Sequence, residues 1–267
     1  MAGAPCGRDG EKAVRLMRQP AIFFGHGSPM NALGGPHAAA WREIGQAVGR
    51  PEAVLMVSAH WETDGPAVTA QAKPETIHDF GGFPDALYAI RYPAPGSPAL
   101  AARVSDLTGA VPTGQWGLDH GTWSVLAHAW PAADVPVVQL SLDRRLDARG
   151  HFELARRLAP LRDEGVVIAG SGDFVHNLRA WKRAGGDAYP WATGFNEAVK
   201  AALLRGDDEA LIDWAGLAEE ARMSVPTDEH YLPLLYVAAQ RLPGDGIGFF
   251  NDVIEGGSIS MTGVRIG

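Results

Sequence analysis

Gly165-Val166-Val167-Ile168-Ala169, running straight into Gly170-Ser171-Gly172-Asp173-Phe174-Val175-His176-Asn177, is the stretch on which the fold is read. A β-branched apolar run meets small turn-forming residues and then a histidine. Unbroken hydrophobicity over a few residues, rather than alternation, suits a strand covered on both faces. Three more such runs occur at 21–24, 53–57 and 135–142, each bounded by Gly, Ser or Pro. Between them, helical spacing recurs at 39–48, 98–107, 122–130, 151–161, 194–204 and 209–222, and 231–242 reads as a buried helix. The tail over 248–266 is expected to add short strands at a sheet edge. Strand and helix patterns that alternate along the chain predict an α/β fold: a single domain with a central, mostly parallel sheet flanked by helices on both faces.

Composition supports one domain over 21–267. The chain has 267 residues, 46% hydrophobic and 20% charged, enough to build a sizeable core. No repeat, low-complexity tract or linker interrupts it after residue 20. Residues 1–20 carry Arg8, Asp9, Glu11, Lys12, Arg15 and Arg18 and lack an apolar h-region, so they read as a flexible N-terminal leader rather than a secretory signal. The only cysteine, Cys6, lies in that leader, which excludes a disulfide framework and a thiolate-rich zinc or iron–sulfur site. A cytoplasmic location is the default expectation. No run approaches the ~18 apolar residues of a membrane span, so no membrane partner is expected. With 23 basic and 31 acidic residues the net charge is −8, and no basic cluster interleaves with aromatics, which argues against nucleic-acid binding. Oligomeric state leaves no mark in the sequence.

Nine histidines are present, and three of them end strands. His26 follows the 21–24 run in Gly25-His26-Gly27-Ser28-Pro29. His60 follows 53–57 in Ser58-Ala59-His60-Trp61, and His176 follows 165–169. Each strand thus delivers an imidazole to the loop at its carboxyl end, the edge where open α/β sheets bind ligands. Small neighbours allow sharp turns and leave space beside the ring. Imidazole is a good ligand for zinc, iron, copper or nickel. His120, in Asp119-His120-Gly121-Thr122-Trp123, precedes a helical stretch. His230 lies in Thr227-Asp228-Glu229-His230-Tyr231-Leu232-Pro233, where Thr227 is placed to cap a helix. A lone histidine is far more often a surface or core group than a ligand. His37, His78, His128 and His151 are read that way; three strand-end histidines in Gly/Ser turns are not. His-Glu-x-x-His, Gly-x-Ser-x-Gly and phosphate-loop motifs are absent, and Ser28 and Ser171 lack the elbow and base of a serine hydrolase.

In order, His26-Gly27-Ser28-Pro29-Met30, Ser58-Ala59-His60-Trp61, Ile77-His78-Asp79-Phe80-Gly81-Gly82-Phe83-Pro84, Tyr92-Pro93-Ala94-Pro95-Gly96, Asp119-His120-Gly121-Thr122-Trp123, Val175-His176-Asn177-Leu178 and Glu229-His230-Tyr231-Leu232-Pro233 resemble the class III extradiol ring-cleaving dioxygenases, in their DOPA 4,5-dioxygenase branch. The resemblance runs from about residue 21 to the C-terminus. It implies a non-haem Fe(II) enzyme that opens a catechol ring beside its two hydroxyls with O2; isolated bacterial members can carry Zn(II) instead. It implies His26, His60 and His230 as metal ligands, with His176 either completing the metal shell or serving as acid/base. His120 would touch the substrate hydroxyl and O2. Many relatives use a glutamate as the last ligand, and here Glu229 adjoins His230, so both stay open.

That reading makes the partners a small catechol, DOPA or a related one, and O2. The metal would lower the pKa of both catechol oxygens while His176 or His120 moves a proton. Trp61, Phe80, Phe83 and Trp123 are candidates to pack against the aromatic ring. A zinc-dependent hydrolase on the same scaffold and a non-catalytic binding protein are the competing readings. The presence of all five histidines weighs against the second.

Overall fold

The computed structural model describes residues 18–267. Most of the expected leader, 1–17, lies outside the described residues. Arg18 pairs with Asp163 at 2.9 Å, and the Gln19 amide donates to the Arg162 carbonyl at 2.9 Å.

The described residues form ten strands: β1 Ala21–Gly25, β2 Ala53–Thr63, β3 Ala67–Thr69, β4 Val111–Thr113, β5 Val137–Asp143, β6 Val166–Gly172, β7 Ile247–Phe250, β8 Ile254–Glu255, β9 Ile259–Ser260 and β10 Gly263–Ile266. Eight form one sheet in the order β4-β3-β5-β2-β6-β1-β10-β7, and β8 pairs with β9. The central pairings β5/β2, β2/β6 and β6/β1 are parallel, while β10 runs antiparallel to β1 and β7, so the tail does close one sheet edge.

The helices are α1 Ala38–Val48, α2 Asp85–Tyr88, α3 Pro98–Thr108, α4 His120–Ala129, α5 Ala148–Arg156, α6 Pro160–Asp163, α7 Pro190–Arg205, α8 Asp208–Ile212, α9 Ala221–Ser224 and α10 Leu232–Ala238. Three of them start on side-chain caps: Ser97, followed by Pro98, for α3, Asp119 for α4 and Asp147 for α5. Two helical patterns break. The one over 151–161 ends at Arg156 and restarts as α6 at Pro160, which has no N–H to continue a helix. The one over 209–222 splits into α8, a 3-10 turn at Trp214–Gly216 and α9, with Gly216 disfavouring a continuous helix.

Period-two alternation sends each buried strand to two cores. Ala21, Phe23, Leu55, Val57, Val166 and Ile168 pack with α3, α5, α7 and α10 residues such as Val104, Phe152, Phe195 and Leu235. Ile22, Phe24, Val54, Met56, Val167 and Ala169 pack on the other face with Trp41 of α1 and Trp123, Val125 and Leu126 of α4. The expected fold, helices on both faces of a mostly parallel sheet, is the observed one. No helix among the described residues is long and apolar enough to cross a membrane.

Candidate metal centre

Register places the site. Phe24 and Ser58 both sit opposite Ser171 on the central strand β6. His26 and His60 follow two residues later, and both rings reach the start of α4, with centroids 5.6 Å and 3.9 Å from that of His120. His26 begins the turn after β1, its amide donating to the Gly172 carbonyl at 3.1 Å. His60 departs from expectation, because β2 does not stop at Val57 but continues to Thr63. The strand advances from Val57 to Glu62 while β5 advances only from Leu140 to Leu142, and His60 occupies that bulge. His120 opens α4. Asp119 caps that helix by accepting from the Thr122 amide and also takes hydrogen bonds from Ser58 Oγ (2.8 Å), Gln139 Nε2 (2.7 Å) and Trp116 Nε1 (3.2 Å). The start of α4 is thereby locked to β2 and β5.

His230 lies in the turn before α10 rather than in a helix, and Thr227 caps nothing; its hydroxyl donates to Glu229. The His230 carbonyl accepts from the Asp173 amide at 2.9 Å, and a Cβ on Gly172 would come within 2.1 Å of that oxygen. Only glycine lets the turn sit so close. A Cβ on Gly121 would likewise lie 2.6 Å from Ser58 Oγ and 3.0 Å from His60 Cδ2.

Five imidazoles from distant parts of the chain thus converge. His26, His60 and His230 each offer a ring nitrogen, all within 4.8 Å of one another, and His26 Nε2 stands 3.0 Å from His60 Nε2. His176 stacks on His230 with centroids 3.5 Å apart and planes 6° from parallel, and groups with His230 and Asp173 instead. His120 lies against His60, centroids 3.9 Å apart.

The donor set suits a divalent metal. Burial, reinforced by the neighbouring imidazoles, holds His26 and His230 far below the ordinary imidazole pKa. Burial also lowers His60 to about 3 and His176 to about 4. Rings that stay neutral keep a lone pair. Hydrogen bonds decide which nitrogen has it. Ser171 Oγ donates to the Gly121 carbonyl at 2.5 Å, so toward His26 Nδ1, 3.0 Å away, it acts as acceptor. The His26 proton is placed on Nδ1 and the Nε2 lone pair is free. Glu229 Oε1 accepts from His230 Nδ1 at 3.1 Å, with the same effect. Such partners behind a ligating ring are the usual way a metal site fixes ring orientation and tautomer. Glu229 therefore stands behind His230, and its carboxylate is outside the trio of converging nitrogens.

A cavity of about 690 Å³ opens over the cluster. All five histidines line it, with Phe80 and Phe83 on its wall and Leu178, Arg179, Trp181 and Arg183 among its other lining residues. Trp61 and Trp123 do not line it. Both are buried, Trp61 stacked on Trp116 and Trp123 donating to the Ile77 carbonyl. His37, His128 and His151 serve elsewhere, bonded to Glu255, the Asn31 carbonyl and the Tyr236 hydroxyl, and His78 packs among Phe80, Tyr88 and Trp123.

Sequence reading missed three residues here. Asp79 accepts from His120 Nδ1 at 2.8 Å, although nothing in the spacing ties position 79 to 120. Ser171, which the sequence offers only as a poor nucleophile, stands 3.0 Å from His26 Nδ1. Asp173, fully buried, takes the Gly27 amide at 3.1 Å, and burial raises its pKa well above the carboxylate range.

The family model described as the catalytic LigB subunit of aromatic ring-opening dioxygenase matches residues 20–254. A protein of Escherichia coli K12 named 4,5-DOPA dioxygenase extradiol is 49% identical over 94% of this chain and 95% of its own length. A Beta vulgaris protein of the same name is 40% identical over 80% of this chain and 83% of its own length. The crystal structure of an uncharacterized Escherichia coli K12 protein superposes with a TM-score of 0.81 at 44% identity, covering 94% of this chain and all of that one. A histidine cluster of this kind at the carboxyl edge of the sheet, together with a match spanning nearly the whole domain, shows that the chain belongs to the LigB family of aromatic ring-opening dioxygenases.

Proposed function

We propose that this chain, an extradiol dioxygenase, opens the ring of DOPA or a related catechol bearing an anionic side chain. Fe(II) would be held by His26, His60 and His230, with His120 and His176 as the acid/base pair. The observation that carries the reading is the convergence of three imidazoles, with ring nitrogens within 4.8 Å of one another, beneath an aromatic-walled cavity. When bound, Fe(II) supplies Lewis acidity toward the catechol oxygens and a redox couple for O2, both of whose atoms end in the product. Zn(II) would fit the same nitrogens without the redox couple.

The protein's own groups do the rest. Phe80 and Phe83 offer apolar walls to the ring. His120, with its proton on Nδ1 facing Asp79, has Nε2 available to take a phenolic proton. His176, outside the trio and held parallel to His230, is placed to return a proton as the ring opens. Arg179 and Arg183 line the cavity without an ion-pair or hydrogen-bond partner among the described residues, which suits a substrate carboxylate. The names of the relatives support DOPA as the first substrate to try.

The test is anaerobic loading with Fe(II), then a panel of catechols with and without a carboxylate, under air. A yellow ring-opened product, formed faster from the carboxylated catechols and absent with Zn(II), is expected. Metal binding without any ring-opened product would turn the case toward a zinc hydrolase or a binding protein.

A further inference from the structure

Asp79 grips one residue twice. Its Oδ1 accepts the His120 backbone amide at 2.9 Å, and its Oδ2 accepts His120 Nδ1 at 2.8 Å. The same Oδ2 lies 3.6 Å from His60 Nδ1. The carboxylate and both rings are largely shielded from solvent, with 14%, 7% and 20% of their side chains exposed.

The loop that carries Asp79 is held in place independently. Ile77 and Leu118 are stitched together by the Ile77 amide to the Leu118 carbonyl at 2.8 Å, the Leu118 amide reaches the Glu75 carbonyl at 2.7 Å, and Trp123 Nε1 donates to the Ile77 carbonyl. Position 79 is therefore delivered to the first turn of α4 by the pairing of residues 75–77, just before it, with Leu118 and Trp123. A carboxylate can only accept, so contact with it places the His120 proton on Nδ1 and leaves Nε2 as the acceptor of a ring that lines the cavity. The same oxygen is too far from His60 Nδ1 for a hydrogen bond, so its directed hold is on His120 alone.

We infer that Asp79 is the positioning residue of the reaction: by its double hold on His120 it sets which ring nitrogen can take the substrate's proton, and it touches neither substrate nor metal. This rests on His120 acting as acid/base. Asparagine at 79 would keep an oxygen for the His120 amide but turn an NH2 toward Nδ1, driving the ring proton to Nε2, as an Asp-to-Asn change does in histidine-based triads.

The experiment compares wild type, Asp79→Asn and His120→Ala, Fe(II)-loaded for turnover and Zn(II)-loaded for NMR of 15N-labelled histidine, which reads the protonated nitrogen directly. Asp79→Asn is expected to keep its metal, to lose about 10²–10⁴-fold in kcat with KM little changed, and to move the His120 proton from Nδ1 to Nε2. An unmoved proton, near-normal kcat beside an inactive His120→Ala, or loss of metal from Asp79→Asn would each overturn the inference. Normal turnover by His120→Ala would remove the underlying reading of His120 and the inference with it. Should Asp79→Asn fail to fold, Asp79→Glu keeps a carboxylate and is expected to retain both metal and the Nδ1 proton; a proton on Nε2 in that variant overturns the inference.

Discussion

Removing one hydroxyl, in Ser171→Ala, separates the metal site from the stability of the fold. Ser171 Oγ accepts a hydrogen bond from His26 Nδ1 and donates one to the Gly121 carbonyl. His26 is 1% exposed, so water cannot replace the lost acceptor. In the metal-free protein the ring has an escape: its proton can shift to Nε2, where His60 Nε2, 3.0 Å away, accepts it. The Gly121 carbonyl loses one donor but carries two lone pairs, which keeps that cost small. Metal binding closes the escape, because Nε2 must then be unprotonated and the proton must return to an Nδ1 with no partner. A buried unsatisfied donor costs about 1–3 kcal/mol, which corresponds to roughly a 10–100-fold loss of metal affinity. The assay is chelator competition for Zn(II) alongside urea unfolding of the metal-free chain. Weaker binding with a nearly unchanged unfolding midpoint is expected. Unaltered affinity, or an equal loss in both measurements, would refute the assigned tautomer.

Three other outcomes follow from the same geometry. His60→Ala should lose the metal while His120→Ala keeps it and loses ring opening; elemental analysis of both variants decides, and equal metal loss would overturn the division of roles. Gly172→Ala would bring a Cβ within 2.1 Å of the His230 carbonyl, so a loss of about 1–3 kcal/mol in unfolding free energy together with reduced metal content is expected, and wild-type values in both would refute the close approach. The metal-free protein should lose stability as pH falls from about 6.5 toward 4, because unfolded imidazoles take up protons that His176 and His151, both lowered to about 4 by burial, refuse in the folded state. Urea unfolding across that range checks it, and stability that rises on acidification would contradict the burial argument.

Much of the fold was legible because short-range chemistry writes it. Residues 21–24, 53–57, 135–142 and 165–169 fall within or against β1, β2, β5 and β6, since a strand covered on both faces needs an apolar residue at every position. The strand-end histidines were visible for the same reason: an imidazole just beyond such a run is conspicuous. Where local pattern failed, the cause was specific. The helix pattern over 151–161 did not show that Pro160 would restart the helix, and that over 209–222 hid a turn at Gly216. The length of β2 through His60 depended on a bulge that only its pairing with β5 defines.

The sequence by itself determined that an α/β sheet would carry histidines to its carboxyl edge, because side-chain period and turn residues act over a few positions. Tertiary structure alone decided what those histidines could do. Ser171 to His26, Glu229 to His230 and Asp79 to His120 are contacts that hold each ring and give its Nδ1 an oxygen partner. Two of the three join residues more than forty positions apart, and even the adjacent pair depends on how its turn is folded. A hydrogen bond depends on distance and angle in space, and spacing along the chain carries neither.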